Sequence, residues 1–364
     1  MKNWYFVCLI FFVSMAFLLQ SCGDDDGDDD PQESDFTDLL TNQIDEVIIH
    51  TMETYRTEIT NLETTLAGVA SPIDEAALAT IRTANNAAYL AYQQVAVHDY
   101  FSTSSLDLID LTNLYPIEVS TLDILIETNS REFNASSHER ATGFPAIDYM
   151  LYGPTDVVAY LNEDDRRLAF LKALVSDMKA RSDNLVSQWS GLRDDFIAAG
   201  GTSSGSAISG QLNGSLAYYE FSIREDKLGI PIGRLGPNDS PIAADPTKIE
   251  AYYQSLVEGD DRFALLLARV AVEEMEDVYL GTTSTGFDGQ GYDDLLTARG
   301  QASVDADIKA QFEAIYAEFD ERTSITEDNN TDLYDAIQGL VTLYKSDMFP
   351  LLNVQDADGA NDGD

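Results

Sequence analysis

The chain is poor in cysteine, in histidine and in positive charge. It holds 2 Cys and 3 His among 364 residues, and 21 Lys and Arg against 64 Asp and Glu. Two cysteines cannot staple a disulfide framework, so stability has to come from a core. His50, His98 and His138 form neither HxxE nor HExxH, so no zinc-peptidase helix is spelled out. His50 reads as a half-solvated helix residue beside Glu46 and Glu53, and His98-Asp99 as an ordinary polar helix end. A formal net charge of −43 repels nucleic acids and anionic lipid surfaces, so no nucleic-acid partner is expected. No Ser–His–Asp order, reactive Cys or phosphate-cradling glycine loop stands out. The terminal acidic tail lacks EF-hand spacing.

The first residues read as targeting signal. Lys2 precedes the apolar stretch Trp4–Leu19, too short and too poorly flanked to span a bilayer. It ends in Leu18-Leu19-Gln20-Ser21-Cys22-Gly23, which resembles a bacterial lipobox. That resemblance implies a lipoprotein signal peptide over 1–21 and lipid attachment at Cys22. Cys8 would be discarded, and membrane attachment would come from acyl chains rather than basic residues. Residues 22–35 contain GDDDGDDD and are expected to be a disordered tether. The acidic run also resembles the surface-export signal of Bacteroidetes lipoproteins, while a plain solvated spacer explains it equally well.

What the chain has in quantity is helical periodicity. Ile48, Met52, Tyr55, Ile59, Leu62 and Leu66 recur at 4, 3, 4, 3, 4, one apolar stripe of a helix. Ser71-Pro72 breaks it, and Asp74 opens an Ala-rich helix to about Phe101. A third is expected over about 106–128, with Pro116 as a kink or break. A helix starts at Pro145, and a long one covers 164–198, with Leu168, Leu171, Val175, Met178, Leu185, Trp189, Leu192 and Phe196 on one side. Gly200–Ser206 is the clearest flexible joint. Beyond it, helices are expected over 206–227, stopped by Gly229 and Pro231, and from Asp245-Pro246 to Leu280. Gly281–Gly291 is a loop. Phe312, Ile315 and Phe319 mark one more helix, and Leu333 to Tyr344 a last one, closed by Pro350. No strand-period run competes, so the fold class is all-α with two bundle-like domains, 36–200 and 201–352, and an acidic tail at 353–364.

Residues 141–153 read ATGFPAIDYMLYG. Within them Gly143-Phe144-Pro145-Ala146-Ile147-Asp148 resembles the GxHxxE signature of imelysin-like proteins, the M75 peptidase family. Gly153-Pro154-Thr155, Tyr160-Leu161-Asn162, the run from Ile223 to Arg234 and the Asp/Gly-rich ending resemble further segments of that family. The resemblance covers most of the chain beyond the tether. It implies two four-helix-bundle-like domains, an envelope location, a link to iron acquisition and a site near the domain interface.

The signature departs from the family at its ligands. A His and a carboxylate three residues apart share a helix face and grip one ion. Pro145 stands where the His belongs and has no lone pair to offer, and Asp148 stands for Glu. The segment also reads as a plain helix start: Gly143 allows an unusual turn, Pro145 suits the first turn, Asp148 complements the dipole, and Ile147 and Leu151 face the core.

Asp148 is the best metal-ligand candidate. Tyr149 is grouped with it, and His138-Glu139 just upstream is placed to swing toward it and replace the lost His. Arg224, Glu225, Asp226 and Lys227 pack four charges into one helix end, as an interface patch facing the Asp148 helix or as a salt-bridge cluster joining the halves. No catalytic residue is assigned. The expected protein is an outer-membrane lipid-anchored lipoprotein, periplasmic or surface-facing. It acts as a binding or accessory component of nutrient uptake, with iron or an iron or haem carrier as ligand and an outer-membrane transporter as partner, by family resemblance. A metallopeptidase with a remodelled metal site and a structural or glycan-handling surface lipoprotein are the alternatives.

Overall fold

The computed structural model describes residues 33–100, 108–201, 203–235, 240–326 and 331–356. Cys22, the acidic tether as far as residue 32, Phe101 and the tail from 357 onward lie outside the described residues, while 33–35, expected to belong to the tether, open the first helix.

Helix α1 (Glu33–Asn42) runs through a π-helical stretch (Gln43–Ile48) into α2 (Ile49–Gly68). The stripe from Ile48 to Leu66 is buried throughout, each member at 1% exposure or less. Burying each such side chain is worth about 1.5–3 kcal/mol, which is why the 3.6-residue spacing decides the element. Pro72 ends the run. The Asp74 carboxylate accepts the Ala77 N–H and opens α3 (Glu75–Ala96). The helix expected over 106–128 is two pieces, α4 (Leu108–Asn113) and α5 (Val119–Glu127), separated at Pro116.

After the 3-10 turn Glu139–Ala141 come α6 (Gly143–Tyr152), α7 (Val157–Glu163) and the long α8 (Asp165–Ala198). Asp164 caps α8 through the Arg166 N–H. Leu192, expected on the buried side of α8, is 37% exposed, while Trp189 and Phe196 are buried.

Ser206 caps α9 (Ala207–Tyr218), which passes directly into a π-helix, Tyr219–Gly229, and then α10 (Ile230–Ile232). The stop expected at Gly229 therefore falls later. Gly233, at φ 84°, takes the left-handed position that ends a helix, and Pro231 sits inside α10. A two-residue antiparallel pair follows, β1 (Arg234–Leu235) and β2 (Ser240–Pro241). The helix expected from Pro246 to Leu280 is three elements: a 3-10 turn (Pro246–Lys248), α11 (Tyr252–Glu258) and α12 (Arg262–Leu280). Gly259, at φ 77°, breaks it between α11 and α12. Helix α13 (Tyr292–Ala298) was not anticipated. Then come α14 (Ala302–Asp320), α15 (Thr331–Thr342), a third π-helical stretch (Leu343–Met348) and α16 (Phe349–Leu352). Pro350 lies in the first turn of α16 rather than closing the last helix.

The structure is all-α. Helix α2 packs between α3 and α8, α3 against α12, and α14 against α15. Residues on either side of the Gly200–Ser206 joint share one core, and the described residues from Glu33 onward form one compact unit. Amide side chains sew the two sides together. Asn42 donates to the carbonyls of Gly281 at 2.8 Å and Gln290 at 3.0 Å. Gln43 donates to Val278 O at 2.9 Å and accepts from Gln211 at 2.7 Å, and Gln211 in turn accepts from the Tyr292 hydroxyl at 2.7 Å. Each group is buried and partnered, as a buried amide must be.

His98 is not an ordinary polar helix end. It is 1% exposed, with Nε2 2.6 Å from Glu274 Oε1. Burial pushes the imidazole down to about 3 and the Glu274 carboxyl up, so the pair sits in its neutral form. No described helix is long and apolar enough to cross a membrane.

Candidate functional site

The signature segment forms α6, and its first residue explains the glycine. Gly143 has φ 68°, and a Cβ there would lie 2.1 Å from the Thr112 carbonyl oxygen of α4. Pro145 and Asp148 follow on a helix buried on nearly every side, with Ile147 and Leu151 in the core. Asp148 falls beyond the first turn and does not serve its own helix dipole.

It serves another helix. Helix α11 begins at Ala251, held at φ 49° and with no side-chain atom able to accept a bond. Asp148 supplies the missing cap from 105 residues upstream. Its Oδ2 accepts the Tyr253 N–H at 2.8 Å and its Oδ1 the Gln254 N–H at 3.0 Å. Burial lifts the carboxyl to about 7, and the two backbone bonds restrain that rise. Tyr149 packs edge-on to Tyr253, ring centres 5.0 Å apart.

The segment that Asp148 anchors carries Glu250, which pairs with Lys227 of the π-helix at 2.7 Å. Both are buried, and neutral groups add further bonds. Lys227 Nζ donates to Gln93 Oε1 at 2.7 Å, and Gln93 Nε2 donates to Glu250 Oε1 at 3.3 Å. Asn113 Nδ2 also donates to Glu250 Oε1, while Asn113 Oδ1 accepts from the Tyr89 hydroxyl at 2.6 Å. Burial lowers Lys227 and the Glu250 charge opposes that shift. The network ties α3, α4, the π-helix and the start of α11 to one point.

Two adjoining cavities flank this point. The larger, about 470 Å³, is walled by Tyr92 and Tyr218, by the Asn113–Pro116 turn, by Arg140 and Lys248, and by Ser222, Asp226, Lys227 and Ile230. Burial, with Glu250 nearby, keeps the Tyr92, Tyr115 and Tyr218 phenols protonated by pushing them well above the usual tyrosine value. Desolvation lifts Asp226 to about 6. The smaller cavity, about 200 Å³, shares Tyr115 and Pro116 with the first and is bounded by Pro145, Asp148, Ile249, Tyr252 and Tyr253.

The residues singled out from sequence divide. Asp148, Pro145, Asp226 and Lys227 meet around these two cavities. Arg224 turns the other way, donating to Gln338 Oε1 at 2.6 Å, Glu220 Oε1 at 3.3 Å and Glu225 Oε1 at 3.0 Å. His138 has its Nδ1 2.7 Å from the Glu132 carbonyl, and Glu139 opens the turn that carries Arg140; neither is bonded to Asp148. Gln93, Asn113, Glu250, Arg140, Lys248 and the pocket tyrosines were not anticipated. They come from five separate segments, and only the unusual count of 18 Tyr hinted at them.

The arrangement does not suit a metal held through the signature. Pro145 donates nothing, both Asp148 oxygens accept backbone N–H groups, and among the described residues no three His, Cys, Asp or Glu stand where they could hold an ion. What the cavities offer is hydrogen-bond donors, cations and aromatic walls.

Comparison with known proteins gives a consistent answer. The fold is similar to that of an imelysin-like protein from Psychrobacter arcticum 273-4, with a TM-score of 0.72 at 15% identity over 90% of this chain and 98% of that one. It is also similar to a chain assigned as an iron-regulated protein A precursor from Parabacteroides distasonis ATCC 8503, with a TM-score of 0.67 at 16% identity over 89% and 95%. No curated protein matches. The family model for imelysin, peptidase M75, matches residues 48–346, and the chain belongs to that family.

Proposed function

We propose that this chain is a non-catalytic binding component of nutrient acquisition at the cell envelope, with iron or an iron carrier as its ligand. The observation that carries the reading is the 470 Å³ cavity beside the Lys227–Glu250 pair. A volume of that order suits a small molecule, and the buried ion pair pre-forms one of its walls. The iron-regulated designation of one structural neighbour supports the choice of ligand, and the Cys22 lipobox supports lipid anchoring at the outer membrane. The peptidase alternative lacks a metal site at the signature. The aromatic wall of Tyr252 and Tyr253 keeps the glycan-handling alternative in view.

Equilibrium dialysis of the purified protein against ferric citrate and haemin, beside a fluorogenic peptide assay with and without chelator, tests the reading. Saturable uptake without peptide cleavage is expected. Chelator-sensitive cleavage overturns it in favour of the peptidase, and no uptake of either probe overturns the iron assignment.

A further inference from the structure

The larger cavity inverts the charge balance of the chain around it. Acidic residues outnumber basic ones 64 to 21 overall, yet among the described residues the cavity wall holds Arg140, Lys227 and Lys248 against Asp226 alone. Two of the cations are held in place. Lys227 sits at the buried side, fixed by Glu250 and Gln93. Arg140 sits at the exposed mouth, where its Nη1 donates to the carbonyls of Tyr115 and Pro116, each at 3.2 Å, and its planar fork keeps further N–H groups for an anion. Three tyrosines share the walls and, being protonated, act as donors. Among the described wall residues Asp226 is the one anionic acceptor.

With Lys227 already paired to Glu250, a site with two further cations, phenol donors and one carboxylate acceptor matches one ligand pattern well: carboxylates for the cations, and a hydroxyl to donate to Asp226. It opposes a bare metal cation, which would meet ammonium and guanidinium charge and would have to strip protons from buried phenols. We infer that the cavity binds a small hydroxycarboxylate anion, free or as its iron chelate. This rests on the binding reading above and names the chemistry of the same site.

The test is calorimetric titration of the full-length chain, in mild detergent, with citrate, ferric citrate, glucuronate and anaerobic ferrous sulfate. One-to-one binding of citrate and ferric citrate is expected. Arg140→Gln at the exposed mouth and Lys248→Gln on the half-buried wall, both compatible with folding, should each weaken it about tenfold, the worth of one charge-assisted contact. Affinity should fall as salt rises. The distant, exposed Arg262→Gln should bind as wild type. Citrate bound while ferric citrate is excluded supports the inference and removes iron from the proposed function. Glucuronate bound in place of citrate also supports it and assigns the source to sugar acids. Ferrous ion bound without any carboxylate overturns it and leaves the iron reading standing. Binding unchanged in both of these variants places the ligand elsewhere and overturns it too.

Discussion

Lys227 and Glu250 meet at 2.7 Å with side-chain exposures of 3% and 1%, one from a π-helix and one from the turn before α11. The pair costs desolvation of two charges, which their mutual attraction and the amide partners around them offset. Its importance lies in where it stands: it fixes the side of the cavity where the helices around it converge.

Removing one partner should be far worse than removing both. Glu250→Gln leaves the Lys227 ammonium buried without a counter-charge, and a loss of about 3–5 kcal/mol is expected. The double variant Lys227→Met/Glu250→Gln should recover more than half of that. Urea unfolding of the four proteins measures the coupling, and additive losses would show that the pair is not an energetic unit.

Asp148→Ala should uncap α11, at a cost of about 1–2 kcal/mol from the lost cap. Asp148→Asn keeps one accepting oxygen and should lose less. Hydrogen exchange over 251–258 should speed up in the Ala variant more than anywhere in α6. Equal exchange in both would mean that the cap is not what orders this segment.

The same carboxyl gives a pH signature. Its folded value of about 7 lies above the ordinary 3.8, so between those values the folded state holds the proton more tightly than the unfolded chain. Stability from this group is therefore present below about pH 4 and lost as pH rises toward 7. Relative to Asp148→Asn, which does not titrate, wild type should lose stability over that window by at most about 1.4 kcal/mol per pH unit. The His98–Glu274 pair is common to both proteins and cancels. A difference that stays flat from pH 4 to 7 would contradict a buried, proton-holding Asp148.

Gly143→Ala combines two penalties. A left-handed backbone costs a non-glycine residue about 1–2 kcal/mol, and the new methyl group would run into the Thr112 carbonyl, which is backbone and cannot rotate away. A lowered melting temperature with α4 displaced from α6 is expected. Wild-type melting would mean that the two helices can separate freely.

Chelation should leave the fold untouched. Prolonged dialysis against EDTA is expected to change neither the melting temperature nor the helical circular dichroism signal, because the described residues hold no three-carboxylate or histidine grouping. A melting temperature that falls on dialysis and returns with one metal would locate an ion that this reading omits.

The helices were legible wherever burial follows a simple period. The stripe from Ile48 to Leu66 and the span of α8 are both found as spaced. Three features were not legible because they depend on contacts distant in sequence. Ala251 adopts a left-handed conformation without the residue type that normally signals one, since Asp148 compensates from another helix. Leu192 satisfies the α8 period yet is partly uncovered. Buried Glu250 lies between a proline turn and two tyrosines, where nothing local distinguishes it from a solvated acid. The signature pointed to the right neighbourhood, through Pro145 and Asp148. The cations and phenols of the larger cavity emerge only once five segments are brought together.

The helical stretch Tyr219–Gly229 closes its bonds one residue wider than an α-helix, and such widening arises when a residue is inserted into a regular helix. Each residue of an ordinary helix turns the next by about 100°. Deleting a single position ahead of Asp226 would restore the narrow winding and swing the ammonium at 227 to a different compass point, away from its counter-ion. The chemistry of the hollow is thus a matter of phase: it is set by how many residues precede it in that coil as much as by which ones line it.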